Sequence, residues 1–600
     1  MSKKKETSQE LISHHVFLLP FKWEKEDGAA YEINQFHDLI HNHLDLEKAT
    51  EWKRSDFNLE RVVDYNEFNY FFDYVAEVLY QTDTHNKEEQ NFIGHFTYNL
   101  PPGKGIYKFE APGPDGKSKE YTLEIDSILL HLYYSGVGVL SFHLNNRKPS
   151  QGEPEDIIRI NQFGRRVYPP FYFIDQDKVG HQAQFDETQF VGKSPAGAEI
   201  ANWIEIDFND GTNPRRENWN QDLAQRLKEG EIFKFNLPAF LEPFLFRIED
   251  GYDIYPVLDD RMFVLSWYGN DGLARRIARG EPGREEYRLD DWWYRYIFVD
   301  AKYRSVQDPA DQEATTIPAT YARWRNYSTL YGVTEYSMVL LTKSLPTLRS
   351  GYSAYLVTHL QTIYYRLAEL VLVQRASIQR FSDDITHISK LDGADPAQAE
   401  KASLLNRRYI RFVNQIYFRE VTPQQQGIEL YDLLQQQARI SNQVTALQDE
   451  IERLQNYVRQ ETDRQLLAAE KKRMQREEES EKRRSDILAV LGAIFLAPGL
   501  LIAVHDLGYM GTCLEQNPKY LFGLTLLAAV ISVRLCWWAY PGEIVESSTL
   551  TSSTNTDVQP RAWSRPVRGI PIWRLVVVAL AYLILLSIPL IYALLACPAG

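Results

Sequence analysis

The sequence predicts an α/β domain followed by long helices, a coiled-coil-like stalk and a helical transmembrane region with three spans. Three observations carry this reading. Apolar and polar residues alternate in several short runs of the first 300 positions. After residue 422, apolar residues recur at alternating spacings of three and four. Three long, almost uncharged runs fill much of 487–600. The expected divisions are an α/β domain over 1–340, a helical hairpin over 341–421, a stalk helix over 422–486 and the spans within 487–600.

Composition narrows the function classes. The 600 residues hold 66 Lys+Arg against 81 Asp+Glu, a formal charge of −15, which excludes a strongly basic nucleic-acid binder at the whole-chain level. No direct nucleic-acid partner is therefore expected. The cysteines are Cys513, Cys536 and Cys597, so no disulfide framework holds the first 512 residues.

In the first domain, Tyr121, Leu123 and Ile125 alternate with Thr122, Glu124 and Asp126, a strand pattern with one buried face. A second strand covers 137–144 after a Ser135-Gly136 turn, and a third covers 261–267. The segment Ala111-Pro-Gly-Pro-Asp-Gly116-Lys117-Ser118 fits a permissive phosphate-loop pattern. That mechanism needs a helix after the Lys-Ser pair, and a strand follows, so Pro114-Asp115-Gly116 reads as a hairpin turn. His37 and His41 stand four apart on an expected helix with His43 nearby, without a third metal ligand, and fit a solvated face better than a metal site. No nucleophile elbow, zinc-protease motif or paired CxxC occurs, so no enzyme and no covalently bound cofactor are expected.

Arg275, Arg276, Arg279, Arg284 and Arg288 cluster beside Trp292, Trp293, Tyr294 and Tyr296. Guanidinium forks next to aromatic faces suit a phosphate and a base, which makes Arg275, Arg276, Arg279, Trp292 and Trp293 candidates for a ligand site of that chemistry. The same arginines stand among Glu281, Glu285, Glu286, Asp290 and Asp291, the composition of a surface ion-pair network.

The hairpin comprises a long helix over 352–391 and a second from Asp395-Pro396 to about residue 420. Thr422-Pro423-Gln424-Gln425 then starts the stalk, with Thr422 as cap and Pro423 at the first helical position. Its seam is Leu430, Leu433, Gln437, Ile440, Val444, Leu447, Ile451, Leu454 and Val458, a face that asks for neighbouring helices.

The candidate spans are 487–504, 521–540 with Arg534 inside it, and 575–596. Basic residues crowd the approach to the first span and return at Arg561, Arg565 and Arg568, which places the N-terminal domain in the cytoplasm and the C-terminus outside a multi-pass inner membrane. Polar residues follow Met1-Ser-Lys-Lys-Lys-Glu, so no leader is expected.

A cytoplasmic α/β domain, returning helices, a stalk and a first span containing Ile494-Phe495-Leu496-Ala497-Pro498 together resemble the CorA-type magnesium channel family. The resemblance covers about 352–540. It implies a homo-oligomer, a pentamer in that family, embedded in a lipid bilayer and passing cations along an axis lined by Gly492 and Pro498. The mouth would comprise Asp506, Gly508, Tyr509, Met510, Gly511 and Glu515. The family's Tyr-Gly-Met-Asn loop is replaced by Leu507-Gly508-Tyr509-Met510-Gly511, with no Asn after Met510, which departs from a plain magnesium (Mg) transporter and leaves the metal ligands unknown. A CorA-like branch associated with type III CRISPR antiviral defence is similar in outline, and implies instead an effector that a small nucleotide messenger switches to disrupt the membrane.

Overall fold

The computed structural model describes residues 10–25, 52–55, 57–80, 93–100, 105–167, 201–208, 214–218, 238–245, 252–259, 261–390 and 396–506, with a few isolated positions beyond. It divides into two compact units, 1–462 and 463–600.

The first unit is built on a 13-stranded sheet. In chain order the strands are β1 (Ser13–Lys25), β2 (Trp52–Arg54), β3 (Ile93–Tyr98), β4 (Ile106–Pro112), β5 (Ser118–Tyr133), β6 (Val137–Asn146) and β7 (Trp203–Asp207). They continue with β8 (Arg215–Asn218), β9 (Tyr252–Pro256), β10 (Phe263–Gly269), β11 (Thr320–Tyr321), β12 (Leu330–Val333) and β13 (Ser337–Thr342). The main path runs β11-β12-β13-β10-β1-β6-β5-β4-β7-β8, with β3 on β5, β2 on β3 and β9 on β1. All pairs are antiparallel except β10 with β13.

β1 lies at the centre because both of its faces are apolar. Phe17, Leu19, Phe21 and Trp23 enter one core, and Val16 and Leu18 enter the other. That is the period-two geometry of a strand covered on both sides. The alternation expected over 121–126 holds, with Tyr121, Leu123 and Ile125 buried. The expected turn at Pro114-Asp115-Gly116 also holds: Gly113 N–H donates to Lys117 O at 2.7 Å, Gly116 takes φ 76°, and β4 pairs with β5 without a helix between them. Gly is needed there for its left-handed backbone.

The helices used below are α1 (Val62–Tyr70), α2 (Asp73–Tyr80), α3 (Pro154–Gly164), α4 (Asp271–Ile277), α5 (Asp291–Phe298), α6 (Tyr365–Ser389), α7 (Pro396–Gln415), α8 (Gln425–Gln437) and α9 (Ile440–Asp506). α3 and α5 cover the first core, and α6 lies against β1 and β6 over the second. The single helix expected over 352–391 is divided: a short helix, Tyr355–His359, and a π turn, Leu360–Tyr364, precede α6. The stalk is likewise interrupted. Arg439 adopts φ 55° between α8 and α9, so the seam changes direction there. Ile440, Val444, Leu447, Ile451, Leu454 and Val458 are all buried in the same core as Ala402, Leu405, Tyr409 and Phe412 of α7. The neighbouring helices that the seam asks for are the chain's own.

In the second unit, the described side chains from 463 to 485 are exposed. Among the described residues no helix is long and apolar enough to cross a membrane. This corrects the expected three-span transmembrane region, and with it the multi-pass inner-membrane location and the description of the chain as a membrane channel. The physical reason lies in α9: between its densely charged 470–486 stretch and the His505-Asp506 pair at its end, the helix offers an uncharged run at the short end of the about 20 predominantly apolar residues that a span needs. Within 487–504, side chains are described only at Ile487, Leu488, Ala489, Leu491, Gly492 and Gly499. The runs 521–540 and 575–596 lie outside the described residues apart from isolated positions.

Candidate functional site

A cluster of charged and polar groups, with His131 and Glu369 fully buried, collects where β3 and β5 meet α1, α2 and α6. His95 on β3 and His131 on β5 are direct cross-strand partners, with ring centroids 4.6 Å apart in an edge contact. His131 Nδ1–H donates to the Glu369 carboxylate on α6, and Arg366, one turn earlier, donates to Glu369 Oε2 at 3.1 Å. Arg366 Nε also reaches Glu67 Oε1 of α1 at 3.1 Å, and Tyr80 of α2 donates to the same oxygen at 2.7 Å. One guanidinium fork thus ties α6 to α1, and one carboxylate ties α6 to the sheet. Breaking such a buried pair costs about 3–5 kcal/mol because a charge is stranded.

Burial sets the protonation states. It lowers His131, although Glu369 opposes the shift, and it lowers His95 well below the usual imidazole range with help from His131 and Arg366. Burial alone would raise Glu369, but His131 and Arg366 outweigh it and hold the carboxyl below its ordinary range. Both histidines are therefore neutral beside an ionised Glu369, and the tautomer of His131 follows from its carboxylate partner.

Above this knot opens a cleft of about 430 Å³ lined by Arg54, Ser55, Phe57, Arg61, His95 and Arg366, among others. Phe57 and Tyr80 are stacked at 4.1 Å along it. Arg61 Nε donates to Asp64 at 2.7 Å, and Ser55 Oγ is 2.6 Å from Thr97 Oγ1. His95 differs from its neighbours. Both ring nitrogens are buried without a hydrogen bond of ordinary geometry among the described residues, although a backbone contact with Leu79 acts on the ring. A buried neutral imidazole left with one free donor and one free acceptor is costly unless a ligand or water completes it.

The sequence candidates lie elsewhere. Arg275 and Arg276 occupy the last turn of α4, and Arg276 pairs with Asp290. Arg288 pairs with Glu285 at 2.6 Å and Glu313 at 2.8 Å. Trp292 and Trp293 are buried on α5, donating to Pro154 O at 2.9 Å and Thr320 Oγ1 at 3.0 Å. The ring of Trp292 stacks on Tyr296 at 4.7 Å, so core packing uses its face. Arg279 lies beyond α4, its carbonyl accepting from Glu286 N–H. Of the expected pore residues, Gly492 and Pro498 are within α9, Asp506 is its last residue, and Gly508, Tyr509, Met510, Gly511 and Glu515 lie outside the described residues, as do His37, His41 and His43. Among the described residues, no group of three or more His, Cys, Asp or Glu side chains is placed to hold a metal ion.

Sequence reasoning missed the cleft because its members come from positions 54 to 366, with no spacing rule to join them. One local signal was present: Arg366 and Glu369 stand three residues apart at the start of α6 among the apolar Leu367, Ala368, Leu370 and Val371. No family model matches the chain, and neither curated proteins nor solved structures give a match.

Proposed function

We propose that the first unit is the receptor for a small nucleotide, and that α6 transmits occupancy of the cleft to the helices packed on it. The observation that carries this reading is His95, a wall residue of the 430 Å³ cleft whose ring nitrogens make no hydrogen bond of ordinary geometry among the described residues. A neutral imidazole there complements a ring edge bearing one acceptor and one donor, as a nucleobase does. The stacked Phe57–Tyr80 pair supplies an aromatic wall, and Arg54 and Arg61 supply forks for a phosphate. A ligand touching Arg366 competes with Glu67 and Glu369 for the same donors. Its binding energy therefore acts on the link between α1, the sheet and α6.

The test is equilibrium binding of the ribonucleoside 5′-monophosphates and of cyclic dinucleotides to the full chain and to His95→Ala. Loss of one free donor and one free acceptor is expected to weaken binding by about 10- to 100-fold, at about 1–3 kcal/mol. Equal affinity in both proteins, or no binding by the wild type, rejects the reading.

A further inference from the structure

Thr422, expected from the sequence as the cap of the stalk, makes a second bond that crosses to another part of the fold. Its hydroxyl accepts from Gln424 N–H at 3.1 Å at the entry to α8, and the same hydroxyl donates to the carbonyl of Tyr70, the last residue of α1. Two further bonds join the elbow between α1 and α2 to this connection between α7 and α8. Phe72 N–H donates to Val421 O at 3.0 Å, and the Tyr74 hydroxyl donates to Glu420 O at 2.6 Å. Gly427, in the first turn of α8, admits the Tyr70 ring: a Cβ there would lie 2.6 Å from Tyr70 Oη. Alanine is the better helix former, so the glycine marks a close approach and not a helical preference.

The other end of this hairpin reaches the His95 cleft. Asp64 and Glu67 of α1 and Leu79 and Tyr80 of α2 all stand in the cleft wall. Helices of nine and eight residues hold little stability of their own, so tertiary bonds decide where they lie. Such bonds are found at both ends: Glu67 with Arg366 and Tyr80 beside the cleft, and Tyr70 to Tyr74 with Glu420 to Thr422 at the elbow. Between them, the buried Val75, Ala76 and Leu79 share one core with Leu430, Tyr431 and Leu434 of α8. A packed hairpin held at both ends shifts as a body, since close-packed interiors do not deform continuously.

We propose that the α1–α2 hairpin is a coupling arm of the cleft, through which occupancy is felt at the entry to α8 by way of the elbow. The inference rests on the reading of the cleft as a ligand site and adds a route beside the one through α6. A ligand that engages Arg366, or draws Tyr80 away from Glu67, changes the bonds that place the cleft end of the arm. The elbow carries that change to Thr422, whose one hydroxyl serves Tyr70 and the α8 entry together. Coupling of this kind is reciprocal: a clamp that responds to the ligand shifts the ligand's affinity by the same factor.

The experiment is hydrogen exchange of the α8 amides in the full chain, with and without saturating ribonucleoside 5′-monophosphates and cyclic dinucleotides, each probe in turn and alongside its affinity. α3 is the reference helix, because it packs on the first core and reports any uniform stabilisation by the ligand. In the wild type, a bound nucleotide is expected to change exchange at the α8 amides by about threefold or more relative to α3. Thr422→Val is expected to bind the nucleotide, to lose that change and to shift the affinity by a similar factor. Tyr74 is 52% exposed, so Tyr74→Phe carries the test should Thr422→Val fail to fold. Its change at α8 is expected to fall at least about twofold. Tyr327→Phe, at an exposed tyrosine outside the elbow, is expected to behave as wild type. A wild type that binds nucleotide with unaltered α8 exchange, or elbow variants that retain the full change, overturns the coupling and leaves the cleft a ligand site. A wild type that binds none of the probes rejects the reading of the cleft and this inference with it.

Discussion

His15 is enclosed by neutral partners. Its Nδ1 lies 2.7 Å from Asn161 Oδ1, which can only accept, so Nδ1 carries the proton and Nε2 accepts from Ser13 Oγ at 2.9 Å. Burial, against a small opposing push from Asn161, lowers this imidazole from its ordinary 6.5 to about 3. A base whose folded pKa is depressed is protonated first in the unfolded chain, so stability falls as pH drops below about 6.5. The window extends to about pH 3 and carries roughly 5 kcal/mol. Burial also lowers His14, His95, His131 and His143, so they act in the same direction. Urea midpoints measured from pH 7 to pH 4.5 are expected to fall in wild type and to fall less steeply in His15→Gln. Parallel slopes would show that His15 does not couple to folding. None of this was legible beforehand. The sheet register brings Asn145 of β6 to His14 and the packing of α3 brings Asn161 to His15, and no local sequence pattern shows either.

At the scale of elements, periodicity was informative where one face met a core. The strands at 121–126, 137–144 and 261–267 and the hairpin turn at Gly116 were visible because side-chain alternation and turn chemistry are local. The stalk seam was visible too, but not its partner, since an apolar stripe does not say whose helix will cover it. The structure covers it with α7 and the remainder of the same core. Val444 is 7% exposed there, so Val444→Asp buries an unpaired carboxylate and is expected to cost at least about 3 kcal/mol of unfolding free energy. Leu466 is 64% exposed, and Leu466→Asp is expected to stay within about 0.5 kcal/mol. Denaturant titration of the two variants decides the matter, and equal midpoints would contradict packing of the seam. The break at Arg439 escaped detection because arginine is an ordinary helix former and carries no turn signal.

On the scale of the whole chain, the unit boundary at 462 falls just past Val458, the last buried residue of the seam. A chain truncated after Thr462 is expected to keep the cooperative melting of the first unit within about 2 °C of its value in the full protein. A drop of ten degrees would mean that the residues beyond contribute to that core. The broad order of a mixed domain followed by helices could be read from composition and periodicity. The sheet order could not, because it is decided by pairings between strands hundreds of residues apart.

The position of β1 sets a schedule for synthesis. The strand emerges from the ribosome first, yet it pairs with β6 on one edge and with β10 on the other. Its first edge is closed once residue 146 is available, and the second waits for β9, at Tyr252–Pro256, along Phe21–Lys25 and for β10, at Phe263–Gly269, along Ser13–Leu18. At about 5–20 residues per second, the roughly 240 residues between the end of β1 and the start of β10 take on the order of 10 to 50 s to make. Throughout that interval an apolar strand edge stands open on the nascent chain, and a slow stretch of translation or a bound chaperone would guard it before the sheet can close.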